Sequence, residues 1–325
     1  MSSNPAIQLT KARSLAQAGK TSAARKAYKS CLGPRPTTDV LIEFAMFEAN
    51  GGHLANARKL LVKAKQLAPN NPDIYINLGE IYRLTKNYQD AAVSLRRACE
   101  LTKNEDADAL YLLAEAERSL GELEQAEIHA QAAHTLAPGD VDIAISQALI
   151  QIAKGAPHLA IDHYQKALEI APQRFETASN LALLLFQNER WHEAAAAFAA
   201  ASKLAPISNH HILNWIDALI YVERGSEALD VLETFDRTEI DQTTLHLALS
   251  SALISVGRFD DAEIHLREIL KADAPSAVAY EKLSTLNKLK AEDETPLRAL
   301  AESAKSNQER MRANFALYHL LKKST

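Results

Sequence analysis

The chain has 325 residues, 47% hydrophobic, 24% charged and 6% aromatic, with 36 basic against 41 acidic side chains and a formal charge of −5. That apolar content suits a folded chain, not a disordered one, and ten glycines with eleven prolines are too few for the frequent turns of an all-β protein. The acidic excess and the lack of any block of five basic residues argue against general nucleic-acid affinity, which rests on clustered Lys and Arg.

The opening residues, Met1-Ser2-Ser3-Asn4-Pro5, have neither a basic region nor an apolar stretch, and the longest apolar run is Ala194 to Ala201. Neither a secretory leader nor a membrane span is expected, so the chain reads as cytoplasmic. Cys31 and Cys99 lie 68 residues apart with no second thiol near either, which implies neither a disulfide framework nor a zinc site.

A periodicity runs along the chain. Alanines stand at Ala24, Ala57, Ala91, Ala126, Ala160, Ala194, Ala228 and Ala262, spaced by 33 to 35 residues. Twelve residues after each comes Pro36, Pro69, Lys103, Pro138, Pro172, Pro206, Ile240 or Ala274, and proline there ends a helix. Between the two columns lies an amphipathic segment. In Ala160 to Ile170 the apolar residues fall at i, i+4, i+7 and i+8, the mark of one helix. A second helical pattern precedes each alanine, Asp73 to Thr85 for example, and a short polar turn such as Lys86-Asn87 or Gly121-Glu122 closes it. Each unit of about 34 residues therefore reads as a helical hairpin. Neither helix can bury its apolar face alone, so the units must stack.

These residues resemble the tetratricopeptide repeat family. The best unit carries Tyr75, Leu78-Gly79, Tyr82, Tyr88, Ala91, Leu95 and Ala98. Ala45, Ala114, Ala148, Ala182, Ile216 and Ser250 replace the glycine elsewhere, and Phe235 and Ile269 replace the second alanine; such departures should tilt hairpins without abolishing them. The resemblance implies an all-α fold, a right-handed α-solenoid of about eight hairpins over residues 5–276, followed by C-terminal helices over 277–325. It implies a non-catalytic scaffold that binds a partner peptide or helix in a concave groove lined by the first helix of each hairpin. Cys31 and Cys99 fall at or beside the second-alanine place and read as small buried hydrophobes.

No catalytic pattern is complete. Gly19-Lys20-Thr21 mimics the end of a phosphate loop, yet Ser14 stands where its first glycine belongs. His192-Glu193 opens a zincin-like motif, and Ala196 takes the second histidine's place. His129, His163 and His265 share one place in their repeats, but stacked helices hold such residues about 8–10 Å apart, too far to share one ion. No enzyme activity, cofactor or metal site is expected. Asp39, Asp73, Asp108, Asp142 and Glu176 recur in the first turn of successive first helices, where a carboxylate interacts favourably with the helix dipole; the alternative is an acidic ridge that attracts a basic partner segment.

Within the expected groove, the early stretch is charged. Glu80 and Arg83 recur one repeat later as Glu115 and Arg118, readable as two i,i+3 ion pairs or as two arginines offered to an acidic ligand. The later stretch is apolar, with Ile145, Leu149, Ile152, Leu183, Phe186, Leu213, Ile220 and Tyr221. Asn77, Asn180 and Asn214 share one groove place, where their amides would hold a bound peptide's backbone. Co-chaperone members of the family clamp a C-terminal carboxylate with Lys and Asn; Ile42, Met46, Asp73 and Asn77 occupy the corresponding places, so that clamp is absent.

After Pro275-Ser276 the repeat decays. Ala277 to Leu289 reads as one more first helix, Lys290 to Glu294 replaces the tight turn, and two helices follow from Thr295-Pro296 and from Gln308. This stretch resembles the bridge region of bacterial tetratricopeptide-containing sulfotransferases, which implies an alternative: a substrate-presenting arm of a sulfotransferase or glycosyltransferase. A self-assembling structural protein is the third reading. In the last helix Met311, Phe315 and Tyr318 fall at i, i+4 and i+7, with Leu317, Leu320 and Leu321 further round. The helix should pack on the eighth repeat and offer a remaining face to a following domain, a second copy or a partner.

Overall fold

The computed structural model describes residues 5–206, 208–234, 241–271 and 276–324. Ile240, Ala274, Phe235 and Pro275, singled out above, lie outside the described residues, as do Met1 to Asn4. The described residues form nineteen α-helices and one 3₁₀ turn, with no strand among them. Eight hairpins pair α1 (Pro5–Gln17) with α2 (Thr21–Cys31), α3 (Thr38–Asn50) with α4 (Leu54–Leu67), and α5 (Pro72–Leu84) with α6 (Tyr88–Leu101). They continue with α7 (Ala107–Leu120) and α8 (Leu123–Leu136), α9 (Val141–Ala153) and α10 (Pro157–Ile170), and α11 (Phe175–Gln187) and α12 (Trp191–Leu204). The last two are α13 (Asn209–Tyr221) with α14 (Gly225–Thr234) and α15 (Gln242–Ser255) with α16 (Phe259–Leu270).

The alanine column sets this register. Each of the eight alanines is the fourth residue of its second helix, and all eight are buried with no residual exposure. A side chain of one carbon lets the paired helices approach closely. Gly79 shows the same limit on a first helix, since a Cβ there would lie 2.4 Å from Leu95 Cγ.

Five residues before each alanine the backbone turns left-handed, at Gly19, Gly52, Lys86, Gly121, Gly155, Glu189, Glu223 and Gly257. The next amide then reaches back to a carbonyl five residues earlier, as Lys20 N–H does to Leu15 O at 2.9 Å and Arg224 N–H to Leu219 O at 2.8 Å. This is the Schellman closure of a helix C-terminus. It also explains Gly19-Lys20-Thr21, in which Gly19 (φ 69°) is a hairpin turn between two helices and not a phosphate loop.

The acidic column sits as its helix-dipole role requires, with Asp39, Asp73, Asp108, Asp142 and Glu176 in the first turns of α3, α5, α7, α9 and α11. Side chains of Thr37, Asn71, Asp106, Asp140 and Asp241 cap neighbouring N-termini by accepting backbone N–H groups.

The chain divides into two compact units, residues 1–172 and 173–325. The first holds five hairpins, with cores such as that of Leu41, Leu61, Ile74 and Leu78. Its buried carboxylates are tied across hairpins. Glu48 receives Arg25 Nε at 2.5 Å and Asn56 Nδ2 at 3.1 Å. Glu117, fully buried, meets His129 Nδ1 at 2.6 Å and Arg96 at 3.2 Å.

The second unit holds three hairpins and a closing set, α17 (Ala277–Thr285), the 3₁₀ turn Ala291–Asp293, α18 (Glu294–Ser303) and α19 (Asn307–Ser324). One expectation needs correcting here. The helix from Ala277 ends at Thr285, short of Leu289, because Asn287 turns left-handed (φ 57°) and Lys288 N–H bonds Leu283 O at 2.8 Å. The tight turn thus survives, and residues 290–294 do other work. Asp293, almost wholly buried, accepts Arg267 Nη1 at 2.7 Å and Lys290 N–H at 2.8 Å, which fastens the segment to α16.

Ala313, Ala316 and Leu320 turn α19 into a core with Leu266, Leu283, Leu297 and Leu300. Met311 (72% exposed), Phe315 (42%) and Tyr318 (61%) face outward.

Candidate partner-binding surface

In the first unit the sequence-derived surface is a network of charge. Arg118 grips Glu115 with two hydrogen bonds of 3.1 and 2.8 Å, and Ser146 Oγ donates to the same carboxylate at 2.6 Å. Burial pushes the Glu115 carboxyl up, but the bonds from Arg118 and Ser146 outweigh it and hold the group below its ordinary value. Burial beside Glu115 and Asp142 raises the Tyr111 phenol. Arg118 is therefore committed to its own helix and is not free for a ligand. Arg83 is held loosely, 3.9 Å from Glu80, and its buried Nε has no hydrogen-bond partner. Ile145 and Leu149 are half-buried and Ile152 is exposed.

The second unit presents a different surface. Phe186 meets the edge of Trp191 at 5.1 Å, and Trp191 stacks on Tyr221 at 4.5 Å with the rings 21° apart. Tyr221 remains 62% exposed. Leu183, Leu213 and Ile220 are half-buried. Asp217 lies on the same helix as Leu213 and Ile220. Its side chain is exposed and no hydrogen bond or ion pair from the described residues reaches it, and partial desolvation pushes its carboxyl up. Lys282 Nζ, on α17, donates to Ser251 Oγ on α15 at 3.0 Å. Burial lowers the Lys282 ammonium, with Asp217 opposing that shift.

Of the three asparagines, two already hold their own helices. Asn77 Nδ2 donates to Asp73 O at 2.7 Å, and Asn214 Nδ2 lies 3.3 Å from His210 Nε2. Asn180 is exposed. The histidine column has diverged in the same way: His129 meets Glu117, while His265 Nδ1 lies 2.8 Å from His246 Nδ1. Both cysteines are buried and free, and burial pushes the Cys99 thiol up to about 11.

Sequence reasoning missed Ser146, Trp191, Asp217, Ser251 and Lys282. The register could have found two of them, since Asp217 and Ser251 occupy the place of Leu149 and Leu183 in their repeats. It also missed a recess of about 570 Å³ near the start of the chain, bordered by Leu9, Arg13, Cys31, Arg35, Asp39 and Glu43, which needs the fold to be seen.

Residues 72–105 and residues 179–243 each match the tetratricopeptide repeat family. The chain contains tetratricopeptide repeats. Cellulose synthase operon protein C of Komagataeibacter xylinus is 26% identical over 186 residues, which is 57% of this chain; the chain spans only 14% of that relative. Among solved structures, PilF of Pseudomonas aeruginosa superposes with a TM-score of 0.54 at 18% identity, over 62% of this chain and 91% of PilF. A tetratricopeptide repeat protein of Parabacteroides merdae gives a TM-score of 0.49 at 18% identity, over 77% of this chain and 98% of the other. The likeness to PilF, at 18% identity, bears on the fold alone, an all-α array of hairpins. No helix among the described residues is long and apolar enough to cross a membrane.

Proposed function

We propose that the protein is a non-catalytic scaffold whose first helices hold a peptide or helix from a partner protein. Tetratricopeptide repeats mediate protein–protein interaction, and the observation that carries the reading here is the stacked, half-open set Phe186, Trp191 and Tyr221. Rigid aromatic surface left in reach of solvent is what an amphipathic partner segment seats on. Leu183, Leu213 and Ile220 supply aliphatic contact beside it, with Asn180 as the polar anchor and Asn214 once its contact to His210 opens. The first unit, taken by itself, offers Ile145, Leu149 and Ile152 as apolar contacts, and Arg83 as a cation left for an acidic residue.

The test is selection of a displayed random peptide library on the full chain. Peptides should be enriched by the wild type and lost by Leu183→Asp and Phe186→Asp variants that keep its circular dichroism spectrum. Enrichment undiminished in both variants would refute the reading.

A second reading has one observation in its favour: Met311, Phe315 and Tyr318 form an outward apolar stripe on α19. An arm that presents substrate to a following domain, as the sulfotransferase resemblance implies, would use that stripe for docking. So would a second copy in a self-assembling protein. Sedimentation of the wild type beside a Met311→Glu/Tyr318→Glu variant separates these, because only self-association makes the wild type the heavier of the two.

A further inference from the structure

The first hairpin departs from its neighbours at the end of its second helix. Thr21–Cys31 gives α2 11 residues, whereas α4, α6, α8, α10 and α12 have 14 each. Gly33-Pro34 follows directly on the cap residue Leu32, and a proline holds the residue before it out of the helical region. The last helical turn is therefore missing. The recess of about 570 Å³ opens at this point, between the shortened end of α2, Leu9 of α1 and Val40 of α3. Its volume is that of a small-molecule site.

Apolar wall and one uncommitted cation meet here. Leu9 is half-buried and Val40 is buried. The buried Cys31 thiol donates to Ala27 O of its own helix at 3.3 Å, so it adds to the apolar wall as a small hydrophobe. On the rim, Arg13 donates from Nε to Glu43 Oε2 at 2.8 Å and from Nη2 to Glu43 Oε1, and the two charges offset each other. The Asp39 charge is stabilised by the N-terminus of its own helix, α3. Arg35 is exposed on the same rim, and no hydrogen bond or ion pair joins its side chain to the described residues. The complementary occupant has an apolar body and one anionic group, since Asp39 and Glu43 would repel a second.

We propose that this recess binds a small organic acid, its one carboxylate on the Arg35 guanidinium and its aliphatic chain against Leu9, Val40 and Cys31. A guanidinium grips a carboxylate through two parallel N–H···O bonds, and removal of the chain from water supplies the remaining affinity. The site lies wholly within residues 1–172 and does not depend on the peptide-binding reading above.

The experiment is calorimetric titration of the full chain with octanoate, beside octanol and octylammonium. Wild-type protein should bind octanoate about tenfold more tightly than octanol, and octylammonium more weakly than either. Arg35→Glu, at an exposed position, should remove the preference for octanoate. Gly33→Phe, where a Cβ meets nothing within 4 Å, should fill the recess and weaken octanoate and octanol alike, while Phe186→Asp should change neither. Bound octanoate should also slow alkylation of Cys31 by iodoacetamide and leave that of Cys99 unaltered. No binding of octanoate, equal affinity for octanoate and octanol, or octanoate binding undiminished by Arg35→Glu and Gly33→Phe overturns the inference.

Discussion

The two units are built from one hairpin and diverge in what their first helices display. In residues 1–172 the polar groups are spent on each other: Glu115 takes Arg118 and Ser146, and Glu117 takes Arg96 and His129. In residues 173–325 the corresponding surface carries stacked aromatics and an exposed carboxylate, Asp217, with no partner among the described residues. The places that repeat are those where two helices touch, and the places that vary are those that face outward from the contact. Stacking fixes only the former, so the latter are free to carry recognition.

Four measurements would break or sharpen that contrast. The largest effect should come from Glu115→Gln, which leaves Arg118 and Ser146 facing a neutral amide and should cost about 1.5–3 kcal/mol at neutral pH. Because the folded carboxyl lies below its ordinary value, its contribution is complete above about pH 4.3 and disappears as the pH falls through the depressed folded value. Urea midpoints of wild type and variant should therefore converge in acid. A difference that persists at low pH would mean the carboxylate is not what stabilises the network.

Next come Ala160→Leu in the first unit and Ala194→Leu in the second. Each overpacks a helix pair at a position with no exposure, and each should lose about 1–3 kcal/mol. Equal losses would confirm that the alanine column works alike in both units, whereas an unchanged melting curve in either would contradict the register there.

The turns should give a smaller effect of opposite sign. Glu189 and Glu223 hold left-handed conformations, φ 58° and 61°, that other repeats assign to glycine. Such a conformation strains a residue with a Cβ, so Glu189→Gly and Glu223→Gly should stabilise the second unit by about 0.5–1 kcal/mol. Gly155→Ala in the first unit should lose a similar amount, although a Cβ there meets nothing within 4 Å. Chemical denaturation of the three variants distinguishes this from a purely steric account, under which Gly155→Ala would be silent.

The smallest effect concerns Asp217, whose folded carboxyl is raised by partial desolvation. Between its ordinary and its raised value the folded chain holds a proton that the unfolded chain has lost, so stability declines as the pH rises through that window. Asp217→Asn should therefore be slightly more stable than wild type at pH 7 and no more stable near pH 3, the reverse of the Glu115→Gln trend. A loss of stability at neutral pH would show that Asp217 has a donor.

The hairpins were legible because their signal is repeated. The 34-residue alanine spacing located eight second helices, and the acidic first turns marked first helices from α3 to α11. Irregular parts were read less well. Lys290 to Glu294 was expected in place of a turn, since a lone acidic segment has no repeat to align with; the turn had moved three residues upstream to Asn287, where Asn tolerates a left-handed backbone. The candidate surface was half legible. Glu115 and Arg118 were placed as an i,i+3 pair by helical spacing alone, but Ser146, 31 residues from Glu115, needed the next helix to be docked.

What the amino-acid sequence determined by itself is what depends on neighbours along the chain: helix periods, caps, the proline stops and the one-carbon side chains at each hairpin crossing. What only the tertiary structure decided is which polar groups find partners. Glu117 and Asp217 are both acidic residues on first helices, and nothing local distinguishes them. One is buried against Arg96 and His129 from adjacent helices, and the other is exposed on α13 with no partner among the described residues. Pairing depends on side chains that stacking brings from 12 or more residues away, and burial makes a partner necessary for Glu117 as exposure does not for Asp217.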